Sequence, residues 1–433
     1  MNSSWNRVAR AALGLVLALP LVASCQQAAP AASVSPAVTA AASIAAPAAA
    51  SDLEFTTWLE GARADAAKRG ITPGTINQAL TGIAPIERII ELDSRQPEFS
   101  NTFTRYINSA VSAKRVTDGR AVMTKHAKLL AELERQYGIP GRFLVAFWGL
   151  ESNFGSDTGS YPVVNALATL AYEGRRGAFF KEEMILALSI LDKGHTTLDK
   201  MKGSYAGAMG QTQFMPSTFL RYAVDGDHNG HADIWQSVPD ALASTANYLN
   251  KLGWDSKRTW GREVRVPAGF DLRNISLDVD AKESVKSLSA WGALGVRRAD
   301  GGALPNQDVQ AALVMPAGAK GPAFLLYDNY RITLRYNRSA FYAIAIGHLA
   351  DRVSGADGLV AAPRESDPLR REEVVALQEG LMALGFLKAA DGVMGSGTRQ
   401  GIRAFQLANV LTPDGYADRS VLTAVQNKAA GRG

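Results

Sequence analysis

The sequence predicts a mainly α-helical (α+β) protein that carries a small β-containing subdomain and ends in a separate helical unit. Three observations lead there. From Leu53 to about residue 255, apolar residues recur at helical spacing. Between about 260 and 335 the period shortens towards two. The last 65 residues take up the helical pattern again, beyond a stretch at 355–368 that contains Gly, Ala, Pro, Ser and Asp. A chain of 433 residues is long enough for two or three domains.

The start of the chain has a different character. Arg7 and Arg10 precede an apolar stretch at 11–22, too short to span a bilayer and built like the core of a secretory signal. It ends in Leu21-Val22-Ala23-Ser24-Cys25, small residues directly before the only cysteine. This pattern resembles a bacterial lipobox, which implies removal of residues 1–24 and acylation of the Cys25 thiol. A plain cleaved signal is the alternative. Gln26, rather than Asp, at the next position implies sorting to the outer membrane, with the body in the periplasm on its lipid anchor. Cleavage deletes two arginines and no acids, so the net charge falls from +5 to +3. Mild basicity suits a polyanionic partner such as the cell wall, although it discriminates little. No basic–aromatic cluster of the kind that nucleic-acid binding needs is present. The single cysteine excludes intrachain disulfides and cysteine catalysis in the mature body. Residues 25–50 are almost all Ala, Pro, Ser, Val and Thr, a composition that builds no core and reads as a flexible tether.

Phe55, Trp58, Leu59 and Ala62 open the helical pattern, and Ile76, Leu80 and Ile83 continue it. Gln96-Pro97-Glu98-Phe99 leads into a helix with Phe103, Tyr106 and Ile107. One helix is predicted over 122–137, closed by Gly138-Ile139-Pro140. Residues 143–150 carry no charge on any face, which marks a buried helix, and Gly155 is its expected left-handed C-cap. Residues 184–191 form a further apolar helix. In the middle region Glu263-Val264-Arg265-Val266, residues 309–314, residues 324–327 and Ile332-Thr333-Leu334 are predicted as strands. A helix over 339–354, with Phe341, Ile344, Ala345 and Leu349, then returns the chain to the helical body. In the last unit Val374, Leu377, Leu381 and Leu384 line one helix that Gly385 ends, and Ile402, Ala404, Phe405 and Leu407 mark a second. Asp391-Gly392-Val393-Met394-Gly395 recurs loosely as Asp414-Gly415-Tyr416-Ala417-Asp418, each before a helix start. A three-helix module results.

Glu151 falls in the last turn of the buried helix, at the negative end of its dipole. Dipole and burial both disfavour ionisation, which raises the pKa as a proton donor near neutral pH requires. A partly exposed glutamate at a helix end shows the same pattern. Residues 205–216 combine glycines with two glutamines and little periodicity. Such a loop brings backbone close to a ligand and offers amides to sugar hydroxyls and acetamides, or it is simply a tight turn.

Trp148-Gly149-Leu150-Glu151-Ser152-Asn153-Phe154-Gly155, residues 206–216 and Gln96-Pro97-Glu98-Phe99 together closely resemble the lytic murein transglycosylase B family. Tyr330-Arg331-Ile332 and Tyr336-Asn337-Arg338-Ser339-Ala340-Phe341-Tyr342 extend the match, which runs in order over roughly residues 53–355. The resemblance implies a lysozyme-like helical catalytic region over 51–355, with a β-containing insertion at about 260–335. It implies one catalytic glutamate, matched by Glu151. It also implies a glycan cleft lined by Tyr106, Arg175, Arg176, Ser204, Gln213, Phe214, Met215, Asn337 and Tyr342. The implied reaction breaks the β-1,4 bond between N-acetylmuramic acid and N-acetylglucosamine without net hydrolysis. Glu151 would protonate the leaving oxygen, then take the proton of the muramoyl C6 hydroxyl as a 1,6-anhydro ring closes. Ordinary glycosidases pair two carboxylates, with substrate assistance as an exception that the 2-acetamido group can supply. Asp157, the nearest other acid, is expected outside the cleft. No cofactor is implied for catalysis, and a monomer acting on peptidoglycan strands is expected. The rival readings are a muramidase that admits water, a silent peptidoglycan-binding scaffold and a wall peptidase. The last lacks both a His-Glu-x-x-His motif and a catalytic cysteine.

A second motif lies at 225–236. Asp225, Asp227, Asn229 and Asp233 stand at positions 1, 3, 5 and 9 of an EF-hand plan, with Gly230 at 6 and the carbonyl of His231 at 7. Gln236 replaces the bidentate glutamate at position 12; the resembled family uses a longer loop, which Asp240 could close. A structural calcium ion is the expectation, and an Asx-rich turn capping a helix from about Ser237 is the alternative. Oxygen dominates the donor set, which argues against zinc despite His228 and His231. Finally, Leu377-Gln378, Leu384-Gly385-Phe386, residues 391–395 and Ala404-Phe405-Gln406 resemble the small peptidoglycan-binding domain type 1, over 369–430 after a linker at 356–368. Its second repeat departs from the pattern, with Ala417-Asp418 where a glycine is common.

Overall fold

The protein is described by a computed structural model, covering residues 48–94, 102–361 and 368–432. The predicted signal sequence, Cys25, the tether up to residue 47 and the motif at 96–99 lie outside the described residues. The chain begins with α1 (Ala48–Lys68), α2 (Pro73–Leu80), α3 (Glu87–Ser94), α4 (Phe103–Ala110), α5 (Ala113–Lys125) and α6 (Ala127–Tyr137). The body continues with α7 (Gly141–Ser152), α8 (Val163–Glu173), α9 (Gly177–Asp192), α10 (Pro216–Tyr222) and α11 (Val238–Lys251). Helices α12 (Leu288–Ala293), α13 (Asp328–Tyr336) and α14 (Ala340–Val353) follow, and α15 (Arg371–Ala383), α16 (Ser396–Ala408) and α17 (Arg419–Ala429) end the chain.

Local chemistry sets several helix starts. The hydroxyls of Thr72, Thr102, Ser112, Ser237 and Ser339 accept backbone N–H groups at the starts of α2, α4, α5, α11 and α14. Proline occupies the first turn of α2, α10 and α11, where its missing N–H costs nothing. At the centre, α7 packs against α5, α6, α11 and α14. Every residue of α7 except Arg142 is buried. Each of its large apolar side chains contributes roughly 1.5–3 kcal/mol by leaving water, so this helix is fixed on all sides. A second apolar core joins α1, α2, α8, α9 and α10 through Phe55, Leu80, Leu167, Leu188 and Phe219.

Three expectations are corrected. The helix expected over 122–137 breaks at His126 (φ −107°, ψ 20°), whose ring meets Trp148 edge-on. Ile332-Thr333-Leu334 is helical, within α13, because Tyr330, Thr333 and Leu334 share one buried face. Burial at that spacing outweighs the strand preference of β-branched residues. Asn153 (φ 47°), rather than Gly155, is the left-handed C-cap of α7, since asparagine tolerates this conformation.

The strands are β1 (Tyr161–Pro162), β2 (Lys202–Gly203), β3 (Gly261–Arg265), β4 (Lys286–Ser287), β5 (Arg297–Arg298), β6 (Gln310–Val314) and β7 (Ala323–Leu326). β1 and β2 form a small ribbon, while the others form one antiparallel sheet in the order β4-β6-β7-β3-β5. That sheet has its own core around Trp291, Ile275, Leu313 and Leu325. Helices α15 to α17 enclose another, built from Leu377, Leu381, Ile402, Phe405 and Val425. The weak internal repeat has a structural basis there. Gln378 accepts the Gly392 N–H and donates to Asp391; Gln406 does the same with Gly415 and Asp414. The second turn also holds the terminal module against the sheet region, since Asp414 accepts the Ala319 N–H. Gln400 donates to Glu283 and Arg403 to the Ile275 carbonyl beside it. Among the described residues, no helix is long and apolar enough to cross a membrane.

Candidate active site

The last turn of α7 carries Glu151, only 6% exposed, into a group of tyrosines. The Tyr342 hydroxyl, from α14, donates to Glu151 Oε1. Burial pushes the Glu151 carboxyl from 4.5 up to about 8, against the Tyr342 hydrogen bond that lowers it. Burial and the Glu151 charge in turn raise the pKa values of Tyr106, Tyr336 and Tyr342. All three are therefore neutral hydroxyls at physiological pH. The proton-donor state inferred from the helix end thus rests chiefly on desolvation.

The loop at 205–216 is stapled to the end of α7. Trp148 Nε1 donates to Gln211 Oε1 at 3.0 Å, and the Ser152 hydroxyl donates to the Gln211 carbonyl at 2.8 Å. Asn153, Phe154 (φ 60°) and Gly155 (φ 80°) turn the chain away in three consecutive left-handed residues. A Cβ at Gly155 would come within 2.5 Å of Gln211 Oε1, so glycine permits the close approach of loop and helix. Within the loop, Ser204 accepts the Ala208 N–H, which makes its hydroxyl a brace. Gln213 (φ 50°) donates to the Thr158 and Gly210 carbonyls.

The remaining predicted residues fall into two groups. Tyr106 packs on Phe341, Phe214 packs on Tyr248 and Tyr336, and Met215 precedes α10 half-buried. Among the described residues, Gln213 Oε1 and Asn337 Oδ1 are buried without a hydrogen-bond partner, as is Thr212 Oγ1 from the same loop. Unpartnered buried acceptors of this kind call for a donor, from ordered water or a bound ligand. Arg175 and Arg176 are held separately: the buried Asp93 carboxylate accepts from both guanidinium groups. Asp157 is half-buried, with its Oδ2 unpartnered among the described residues and its N–H donating to the Ser152 carbonyl at 2.9 Å. Sequence reasoning did not single out Asp93 or Tyr336, whose hydroxyl donates to the Thr212 carbonyl. Tyr336 stood within a recognised motif; Asp93, 82 residues before Arg175, gave no signal.

The loop after α10 gathers Asp225, Asp227 and Asp240, whose nearest carboxylate oxygens all lie within 4.8 Å of one another. Gly230 (φ 99°) and His228 (φ 60°) make its sharp turn. Asp240, fully buried in the first turn of α11, accepts the Gly226, Asp227 and Asp233 N–H groups. Asp233 accepts from Trp235 and Gln236, while Asn229 accepts the His231 N–H. Three convergent carboxylates form a hard oxygen donor set that fits calcium.

The family profile of the transglycosylase SLT domain matches residues 54–351. The chain belongs to the transglycosylase SLT family. A second profile, described as a putative peptidoglycan binding domain, matches residues 370–425. The membrane-bound lytic murein transglycosylase B of Escherichia coli (strain K12) is 28% identical over 297 residues, covering 66% of this chain and 80% of that protein. Among solved structures, SltB3 from Pseudomonas aeruginosa in complex with NAG-anhNAM-pentapeptide is 42% identical with a TM-score of 0.82, covering 86% of this chain and 99% of that one. The Escherichia coli lytic transglycosylase SLT35 in complex with calcium is 25% identical with a TM-score of 0.59, covering 70% and 93%. This member of the family is a peptidoglycan lytic transglycosylase with a lysozyme-like helical domain and a C-terminal peptidoglycan-binding domain, as its motifs implied.

Proposed function

We propose that Glu151 alone serves as acid and then base in cleaving the MurNAc-β-1,4-GlcNAc bond. One observation carries this reading: the Glu151 carboxyl is buried and accepts a hydrogen bond from the Tyr342 hydroxyl, and this burial raises its pKa to about 8. Protonated Glu151 donates to the glycosidic oxygen as the muramoyl C1–O bond breaks. The resulting carboxylate, with the Tyr342 hydroxyl still donating to it, takes the proton of the C6 hydroxyl. The C6 oxygen bonds C1, and the product is 1,6-anhydro-MurNAc with no water consumed. The substrate's 2-acetamido group stabilises the oxocarbenium-like centre in place of a second carboxylate. The bound NAG-anhNAM-pentapeptide named for SltB3 supports this product.

Gln213, Asn337 and Tyr106 supply polar contacts to the glycan, with Phe214 and Met215 beneath it. Ser204 shapes the loop, and Arg175 and Arg176 offer positive charge to the strand. A calcium ion held by Asp225, Asp227 and Asp240, with Asn229, Asp233 and the His231 carbonyl completing its shell, would brace the loop against α11. It would take no part in proton transfer. The mature protein is a periplasmic monomer acylated at Cys25 and anchored to the outer membrane, a location consistent with the membrane-bound Escherichia coli relative. Its role is turnover or remodelling of the wall. Glu151→Gln is expected to lower turnover of purified sacculi by about 10³-fold or more, with the thermal transition retained. Unchanged lysis by that variant would remove Glu151 from the mechanism.

A further inference from the structure

Between the helical body and the terminal module lies a cavity of about 540 Å³. Tyr106, Ser276 and Phe341 line it from one side, and Val393, Arg399 and Tyr416 from the other. Its walls are held in place, since Asp414, Gln400 and Arg403 tie the module to the sheet region beside it. Among the described residues, two polar groups on these walls have no partner. Ser276 is 4% exposed and its Oγ makes no hydrogen bond. Among the described residues, the Arg399 guanidinium is half-buried and none of the hydrogen bonds or ion pairs engages it. Its surroundings desolvate it and push its pKa below the ordinary guanidinium value, with Tyr416 and Asp414 opposing that effect.

Asp414 acts on this guanidinium from nearby but forms no ion pair with it, so the cation stays desolvated without a direct partner, a cost that an anionic ligand relieves. The planar guanidinium fork matches a carboxylate through two parallel hydrogen bonds. The rest of the lining, which includes Phe103, Val314, Met315 and Leu369, is apolar and suits small aliphatic side chains. Tyr106 belongs both to this cavity and to the tyrosine group around Glu151. The cavity therefore adjoins the cleft on the α4 side.

We propose that this cavity binds the carboxylate-ended peptide branch of the substrate strand, with Arg399 pairing the carboxylate and the Ser276 hydroxyl donating a further hydrogen bond. The identity of the strand rests on the proposed function; the anion site does not require any bond to be cleaved. Titration calorimetry on the full chain bearing Glu151→Gln tests it, because turnover is then suppressed. Three probes are compared: a disaccharide-pentapeptide with a free C-terminal carboxylate, the same compound with that terminus amidated, and a peptide-free glycan of the same sugars. The free acid should bind about tenfold or more tighter than the amide, the scale of hydrogen bonds to a charged group. Adding Arg399→Ala should remove that difference. Arg399→Lys, which keeps the charge and loses the fork, should restore part of it, and Ser276→Ala should weaken it. Equal binding of the acid and amide, or a preference unaffected by both Arg399 variants, overturns the cavity assignment while peptide-free glycan still binds. If none of the three probes binds, the peptidoglycan reading beneath it fails instead.

Discussion

Glu151 is protonated because burial makes its charge costly, and that cost is open to measurement. The folded carboxyl holds its proton to about pH 8, whereas an exposed one releases it near 4.5. Between these values the folded state binds more protons than the unfolded state, so stability falls as pH rises through the window. Glu151→Gln removes this titration. The variant's melting temperature relative to wild type should therefore climb between about pH 4.5 and 8; a pH-independent difference would refute the raised pKa. Activity should also decline above about pH 8 as the donor loses its proton. The Tyr342 hydrogen bond lowers the Glu151 pKa, so Tyr342→Phe should move that alkaline limb in kcat/KM to higher pH. A shift to lower pH would contradict the assigned direction. Glu151 is legible in sequence because an uncharged run leads into it and a polar turn ending in Gly155 follows. The grip of Asp93 on Arg175 and Arg176 was not, since it joins distant positions with no shared spacing. The unpartnered oxygens of Gln213 and Asn337 depend on which neighbours the fold leaves out.

At the scale of elements, α7 was legible in its burial and the loop at 205–216 in its composition, but their mutual staple was not. The helix α13 was misread because Ile332 and Thr333 favour strands locally, while Tyr330, Thr333 and Leu334 bury one helical face. Close backbone approaches elsewhere in the site region should be intolerant of side chains. A Cβ on Gly159 (φ 84°) would lie 2.2 Å from the Gly203 carbonyl oxygen. Gly159→Ala should therefore destabilise the protein by about 2 kcal/mol or more, from backbone strain and overpacking together. Denaturant unfolding measures this, and a loss below about 0.5 kcal/mol would show that the contact relaxes freely. The acidic loop offers a separate check. Calcium should raise the melting temperature of chelator-treated protein, and Asp225→Ala should abolish the rise. No calcium-dependent shift in the wild type would count against metal binding.

For the molecule as a whole, the sequence separates a helical body, a sheet-bearing insertion and a three-helix end, because each carries its own period or apolar set. How the end docks was not legible. It depends on Asp414 facing Ala319 and on Gln400 facing Glu283, pairings that no local pattern announces. The repeat was visible as two Asp-Gly turns, and its reason appears in the parallel roles of Gln378 and Gln406. Across these scales, one buried glutamate is assigned the work that two carboxylates share in ordinary glycosidases. Mass spectrometry of purified peptidoglycan digested by the full-length protein tests that assignment most directly. Muropeptides ending in 1,6-anhydro-MurNAc, lighter by one water than hydrolysed ends, are expected as the main products. Reducing MurNAc ends as the main products would contradict the single-glutamate mechanism and make the protein a hydrolase.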